Sequence, residues 1–203
     1  MKNKQKSDIV PLQQTGKAID TKSSFELQDE NDAIAFFPEV KKRLENVNHW
    51  KDVAGALSAT FQLVDENGVD TQRPPRKGDY FKIDIPGPGS QSGEGYDWVR
   101  VEEIEDSTSS DSERFGFRVR PAQNPLGSQR DIAHFYSDES TSSFIVERTN
   151  NKITASVYDR NTKPNTEADS TTDKIRDAVV GVAGVVSFSK IQWKSLTDGL
   201  IKR

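Results

Sequence analysis

Phe115, Phe117 and Val119 alternate with Arg114, Gly116, Arg118 and Arg120. A two-residue period puts the apolar side chains on one face of a strand and the arginines on the other. A helix cannot separate the two sets, because residues two apart fall on nearly opposite sides of it. The same period recurs in Ala59, Phe61 and Leu63, in Phe81, Ile83 and Ile85, in Val99 and Val101, and in Ile153, Ala155 and Val157. Phe144, Ile145 and Val146 make a strand that is apolar on both faces. The chain is therefore committed to a sheet with at least one face to bury.

Turn residues divide these strands. Asn67-Gly68, Asn124-Pro125-Leu126-Gly127 and Asn150-Asn151 are local turn signals. The acidic, serine-rich run from Asp106 to Glu113 reads as an exposed hairpin tip. Pro86 and Pro121 end strands, because proline has no N–H for the ladder. Ile104 is out of phase with Val99 and Val101, which predicts a bulge near Glu102-Glu103. Gly87, Gly89, Gly93 and Gly95 mark a long loop between the strands at 79–85 and 97–105. Their spacing is not G-x-G-x-x-G, no G-K-[ST] occurs, and a strand follows instead of a helix. A phosphate cradle needs those features. The loop reads as a flexible connection, or as a lid over a site.

Helical patterns flank the strands. Phe37, Val40, Leu44 and Val47 share one helix face between Asp29 and Asn48, interrupted by Pro38, so one kinked helix or two short ones are expected. Thr171 or Thr172 can cap a helix carrying Ile175, Ala178, Val179 and Val182, weakened by Gly181 and Gly184. Ser187 or Ser189 can cap a last helix with Trp193, Leu196 and Leu200 at i, i+3 and i+7. Residues 1–22 read as a flexible polar tail, whose apolar knot is Ile9-Val10-Pro11-Leu12. Phe25 and Leu27 suggest a first short strand. Residues 23–203 form one domain, and helices segregated to the ends of six or seven antiparallel strands make it α+β.

This element order resembles the helix-grip fold of the START-like ligand-binding superfamily, over residues 23–203. The resemblance implies a curved antiparallel sheet wrapped round a long C-terminal helix with a cavity between them. The break expected near Gly184-Val185 departs from a single gripping helix. A small antiparallel barrel with helical caps is the alternative. The phrases GDYFKIDIPGPG (78–89), DWVRVEEI (97–104) and HFYSDESTSSFIVER (134–148) are also similar to an uncharacterised family of bacterial proteins. No activity is attached to that family, so this resemblance implies none.

Composition narrows the chemistry. Charged residues make up 30 % of the chain, and the net charge is −4 with both signs interspersed. That is no electrostatic footprint for nucleic acid. The absence of cysteine excludes thiol nucleophiles, disulfides and cysteine-bound metals. No stretch approaches the length of a membrane span, and the N-terminus lacks the apolar core of a secretory signal, so a soluble cytoplasmic protein is expected. The two histidines, His49 and His134, lack metal-ligand spacing, and no cofactor motif occurs. Ser137 and Ser140 to Ser143 show no nucleophile elbow.

The candidate binding residues are Trp98, Arg100, Arg118, Arg120, His134, Tyr136, Arg148 and Tyr158. Several of these would project from one sheet face as guanidinium and aromatic groups, the types favoured at interfaces and anion sites. The competing reading pairs the arginines with Glu102, Glu103 and Glu147 across strands. Two functions follow. One is a non-enzymatic interaction protein that meets a protein partner or a second copy through this face. The other is a helix-grip binder of a small molecule, with weak hydrolase or cyclase chemistry in a cavity lined by Trp98, Arg118 or His134.

Overall fold

The computed structural model describes residues 9–55, 59–85, 90, 92–128, 131–165 and 189–203. The element order is β1 (Lys17–Glu26), α1 (Glu30–Glu45), a 3-10 turn (Val47–His49), α2 (Trp50–Ala54), β2 (Thr60–Val64), β3 (Tyr80–Asp84), β4 (Asp97–Thr108), β5 (Ser112–Pro121), β6 (Thr141–Thr149) and β7 (Lys152–Thr162). Residues 189–200 are helical and are called α3.

The seven strands make one antiparallel sheet in the order β1-β7-β6-β5-β4-β3-β2. β1 and β2 are its two edges and do not pair with each other. The sheet is therefore open, and the barrel alternative is wrong. Consecutive hairpins build β2 to β7, and β1 returns to the far edge beside β7. Helices from both ends of the chain cover one face of the sheet, which is the α+β helix-grip arrangement.

That face carries the core. Ala33, Phe37, Val40 and Leu44 form the buried stripe of α1. They pack with Phe61, Phe81, Phe115, Phe117, Phe144, Val146 and Val157 from the strands. Trp50, at the start of α2, lies at the centre. Its ring stacks on Phe117 at 5.9 Å and meets Phe144 at 4.9 Å and Phe61 at 5.1 Å. Its indole N–H donates to the Leu44 carbonyl, so the polar edge of a buried tryptophan is satisfied. Leu196, Leu200 and Ile201 bring α3 into the same core.

Several local expectations change in detail. α1 runs unbroken through Pro38. Asp29 caps it by accepting from the Asp32 amide at 2.9 Å. The bulge falls where the phase break places it, between Val101 and Glu103. β1 begins at Lys17, so residues 17–22 are strand and not tail. The segment before it is also seated. Ile9 is 2 % exposed, and Ser143 Oγ donates to its carbonyl at 2.7 Å. Residues 132–136 are irregular apart from the bridge Tyr136↔Pro164. The helix expected at 171–182 and the break at Gly184-Val185 lie outside the described residues.

Candidate functional site

Cross-strand register assigns each candidate to a face. Arg100 pairs with Arg120, Arg118 with Ser143, and Ser143 with Tyr158. Directly paired residues share a face, so Arg100, Arg118, Arg120 and Tyr158 lie together on the outer face, away from the helices. Trp98, two residues before Arg100 on β4, shares it. The sequence thus placed five of its eight candidates on one surface.

Their environment is that of a charge-paired sheet. The Glu102 carboxylate accepts from Arg118 Nε at 2.9 Å and from Arg120 Nε at 2.5 Å. Arg120 also donates to the Asp138 carbonyl at 2.5 Å. Arg114 pairs with Glu105 and Glu147. Arg100 lies over the Tyr80 ring, 5.7 Å from its centroid. Tyr158 sits between Lys22 and Arg160, with both cations over its ring. Trp98 is 4 % exposed and is the centre of a second hydrophobic cluster with Val64 and Ala133, flanked by Tyr80 and Tyr96. Its indole donates to the Gly93 carbonyl at 3.3 Å. The described part of the glycine-rich loop therefore packs on Trp98; residues 86–89 and 91 lie outside the described residues.

Arg148 departs from the sequence reading. It pairs with Glu113 and Ile153 and lies on the helix-covered face, 2 % exposed. Its guanidinium donates to Glu113 at 2.7 Å, to the Asn150 carbonyl at 3.1 Å and to Glu30 at 3.3 Å. It locks the β5–β6 pair to the first residue of α1. A buried guanidinium held by two carboxylates clamps the sheet to α1.

His134 and Tyr136 belong to the segment before β6. His134 Nδ1 accepts from the Tyr136 amide at 2.9 Å, and its ring stacks on Phe135. That amide bond fixes the proton on the other ring nitrogen when the imidazole is neutral. The Tyr136 hydroxyl lies 3.4 Å from Ser189 Oγ in α3. Burial, with the nearby Asp159 charge, pushes the phenol above the usual tyrosine range, against the Ser189 hydrogen bond. Arg118 and Trp98, two of the residues named for a cavity lining, lie on the outer face of the sheet and not under the helices.

What does face α3 is a residue that the sequence did not single out. Asp159 on β7 is 0 % exposed. Ser142 Oγ donates to its Oδ1 at 2.7 Å, and the Trp193 indole N–H of α3 donates to its Oδ2 at 3.1 Å. Burial raises its pKa from the ordinary carboxylate value to about 6, against the pull of those two hydrogen bonds and of Arg160. The charge of Asp159 reaches the Tyr136 phenol and disfavours its ionisation. A carboxylate offers about four lone-pair sites, and the two donors occupy one on each oxygen. Both donors are neutral, so the acid can carry or release a proton near neutral pH without breaking an ion pair. Asp159 opens a polar run in the sequence, and the extension of β7 to Thr162 turns it inward.

Among the described residues, no group of three or more His, Asp or Glu side chains is placed to hold a metal ion, and no helix is long and apolar enough to cross a membrane.

No protein-family model matches the sequence, and no curated protein matches it. Solved structures with a similar path include a hypothetical protein from Helicobacter pylori, with 13 % identity, 90 % of this chain and 87 % of that chain covered, and a TM-score of 0.49. They also include Ara h 8.0201, at 12 % identity, covering 92 % and 100 % of the two chains with a TM-score of 0.38. A truncated norcoclaurine synthase from Thalictrum flavum is 8 % identical, with 95 % and 99 % covered and a TM-score of 0.36. Likenesses this distant leave the chemistry of this chain to its own residues.

Proposed function

We propose that this protein binds a small organic molecule carrying a hydrogen-bond donor, at the end of the helix-covered face where β7 meets α3. The observation that carries this reading is the buried Asp159 carboxyl, held by Ser142 and Trp193 with acceptor capacity left over among the described residues. A fully buried acid held by neutral donors costs stability when it ionises. Sites that keep such a group near its ionisation point are candidates for recognition or proton exchange. Tyr136 and Ser189 add two hydroxyls at the same end, and Phe144 and Trp193 supply the apolar wall. The outer arginine face is the weaker reading, because Glu102, Glu105 and Glu147 already pair with Arg114, Arg118 and Arg120.

The test is native mass spectrometry on protein purified gently from its own host. A small mass released on denaturation, and lost or much reduced in Asp159→Asn, supports the reading. A bare chain, or a ligand retained equally by the variant, removes Asp159 as the recognition centre.

A further inference from the structure

β1 is an edge strand, with no strand beyond it among the described residues. It is ten residues long, contains no proline, and its one irregularity lies at its start, between Lys17 and Ile19. Its backbone direction follows from its far end. The Leu27 amide donates to the Asn151 carbonyl, and Asn151 donates back to the Leu27 carbonyl through its side chain. From Ile19 to Glu26 the β1–β7 register is regular. Antiparallel pairs alternate between bonded and non-bonded positions. Counting back from Leu27, the odd-numbered residues bond to β7. The N–H and C=O groups of Asp20, Lys22, Ser24 and Glu26 therefore point away from the sheet, and all four residues are exposed.

Natural sheets blunt such an edge with proline, bulges or repelling charge. The charges on β1 do not repel in every register. A second β1 placed antiparallel must set even-numbered residues opposite even-numbered ones, so that the outward groups meet. Centred on Asp20 or on Lys22, the pairing sets like charge on like. Centred on Ser23, it sets Asp20 opposite Glu26. Centred on Thr21, it sets Asp20 opposite Lys22 twice, once on each side of the axis. Of the registers that overlap more than half of the strand, only that one is complementary at both central positions.

The flank of the strand suits the same axis. Ser23 bonds to Thr197 and Asp198 of α3, so α3 runs beside β1 on the helix-covered face. Ile191, Lys194 and Asp198 fall at i, i+3 and i+7, on the side of α3 that reaches β1, and Ile191 is an exposed large apolar residue. A two-fold axis perpendicular to the sheet keeps both α3 helices on one side and brings these flanks together.

We propose that two copies of this chain pair through β1, antiparallel and centred on Thr21, into one continuous sheet across a two-fold axis. The recognition is isologous: each Asp20 meets the partner's Lys22. The partner is a second copy and not a foreign peptide, because the charge pattern is complementary to itself.

The experiment is sedimentation velocity on the full chain, with Lys22→Asp and Asp20→Lys variants studied alone and mixed. The wild-type chain is expected to sediment as a dimer. Lys22→Asp sets Asp20 against an aspartate, and Asp20→Lys sets Lys22 against a lysine, so each variant alone is expected to weaken the dimer by roughly tenfold or more. Mixed in equal amounts, the two variants restore opposite charges at every central pair and are expected to form a heterodimer. That rescue also shows that both variants are folded. A wild-type chain that stays monomeric as concentration rises overturns the proposal. So does a dimer that neither variant weakens, or one that mixing fails to restore.

Discussion

The Trp193 indole of α3 reaches across the core to donate to Asp159 of β7 at 3.1 Å. One hydrogen bond thus joins the C-terminal helix to the last strand, and its acceptor is a fully buried acid. The same indole packs edge-on against Phe144, with ring centroids 5.0 Å apart. The position of α3 and the protonation of Asp159 are coupled through this side chain, and most of what can be tested about the site follows from that.

Asp159 makes stability depend on pH. Its folded pKa, about 6, lies above the ordinary value of 3.8, so the folded chain holds the proton more tightly than the unfolded one. The stabilisation from that proton is fully present below about pH 4 and is lost as pH rises through 6. The span corresponds to something on the order of 3 kcal/mol. Asp159→Asn, which cannot ionise, is expected to lose this slope. Urea denaturation at pH 4.5 and 7.5 checks it: the variant should gain on the wild type as pH rises. An unchanged difference would mean that Asp159 titrates like an exposed acid.

Trp193→Phe keeps a ring against Phe144 and deletes the donor. The hydrogen bond lowers the pKa of Asp159, so its loss should raise that pKa further. It should also cost about 1–3 kcal/mol at pH 7, where a buried carboxylate loses one of its partners. At pH 4 the cost should shrink, because the protonated acid needs the donor less. Carboxyl titration by NMR, with Asp159→Asn to assign the signal, reads the shift directly.

Arg148 and the outer arginines should respond oppositely to truncation. Arg148→Ala strands Glu113 beside a buried void and should cost about 3–5 kcal/mol. Arg120→Ala, at a partly exposed pair with Glu102, should cost no more than about 1 kcal/mol. Chemical denaturation of the two variants side by side checks the contrast. Equal losses would mean that the outer-face network is structural in its own right.

The sequence shows the strands more clearly than the site. Phe115, Phe117 and Val119 lie on the buried face as their period requires, and the phase break at Ile104 marks the bulge. The outer face was legible for the same reason, since alternation fixes which residues share a side. Arg148 was misplaced because Phe144, Ile145 and Val146 are apolar on both faces, so that strand has no parity signal of its own. Only its pairing with Glu113 shows which way Arg148 turns. Asp159 was missed because a polar residue at the end of a strand looks like the start of a loop. Its burial depends on Trp193 arriving from thirty-four positions away, and no local pattern encodes such a meeting. The length of β1 was missed because an edge strand with one buried face and short side chains gives only weak alternation.

Gly199 tests how tightly α3 must dock. A Cβ at this position would lie 2.1 Å from the Val53 carbonyl oxygen of α2. Backbone cannot retreat as a flexible side chain can, so Gly199→Ala must push α3 away from α2. Overpacking of this kind typically costs about 1–3 kcal/mol. The shift should also lengthen the Trp193–Asp159 bond, since both contacts are made by one rigid helix. Gly199→Ala is therefore expected to reproduce part of the Trp193→Phe signature: a lower melting temperature and a higher Asp159 pKa, with the indole still present. Loss of stability without movement of the Asp159 titration would show that the two ends of α3 dock independently. The acid would then be held by Ser142 and Trp193 alone, whatever happens at α2.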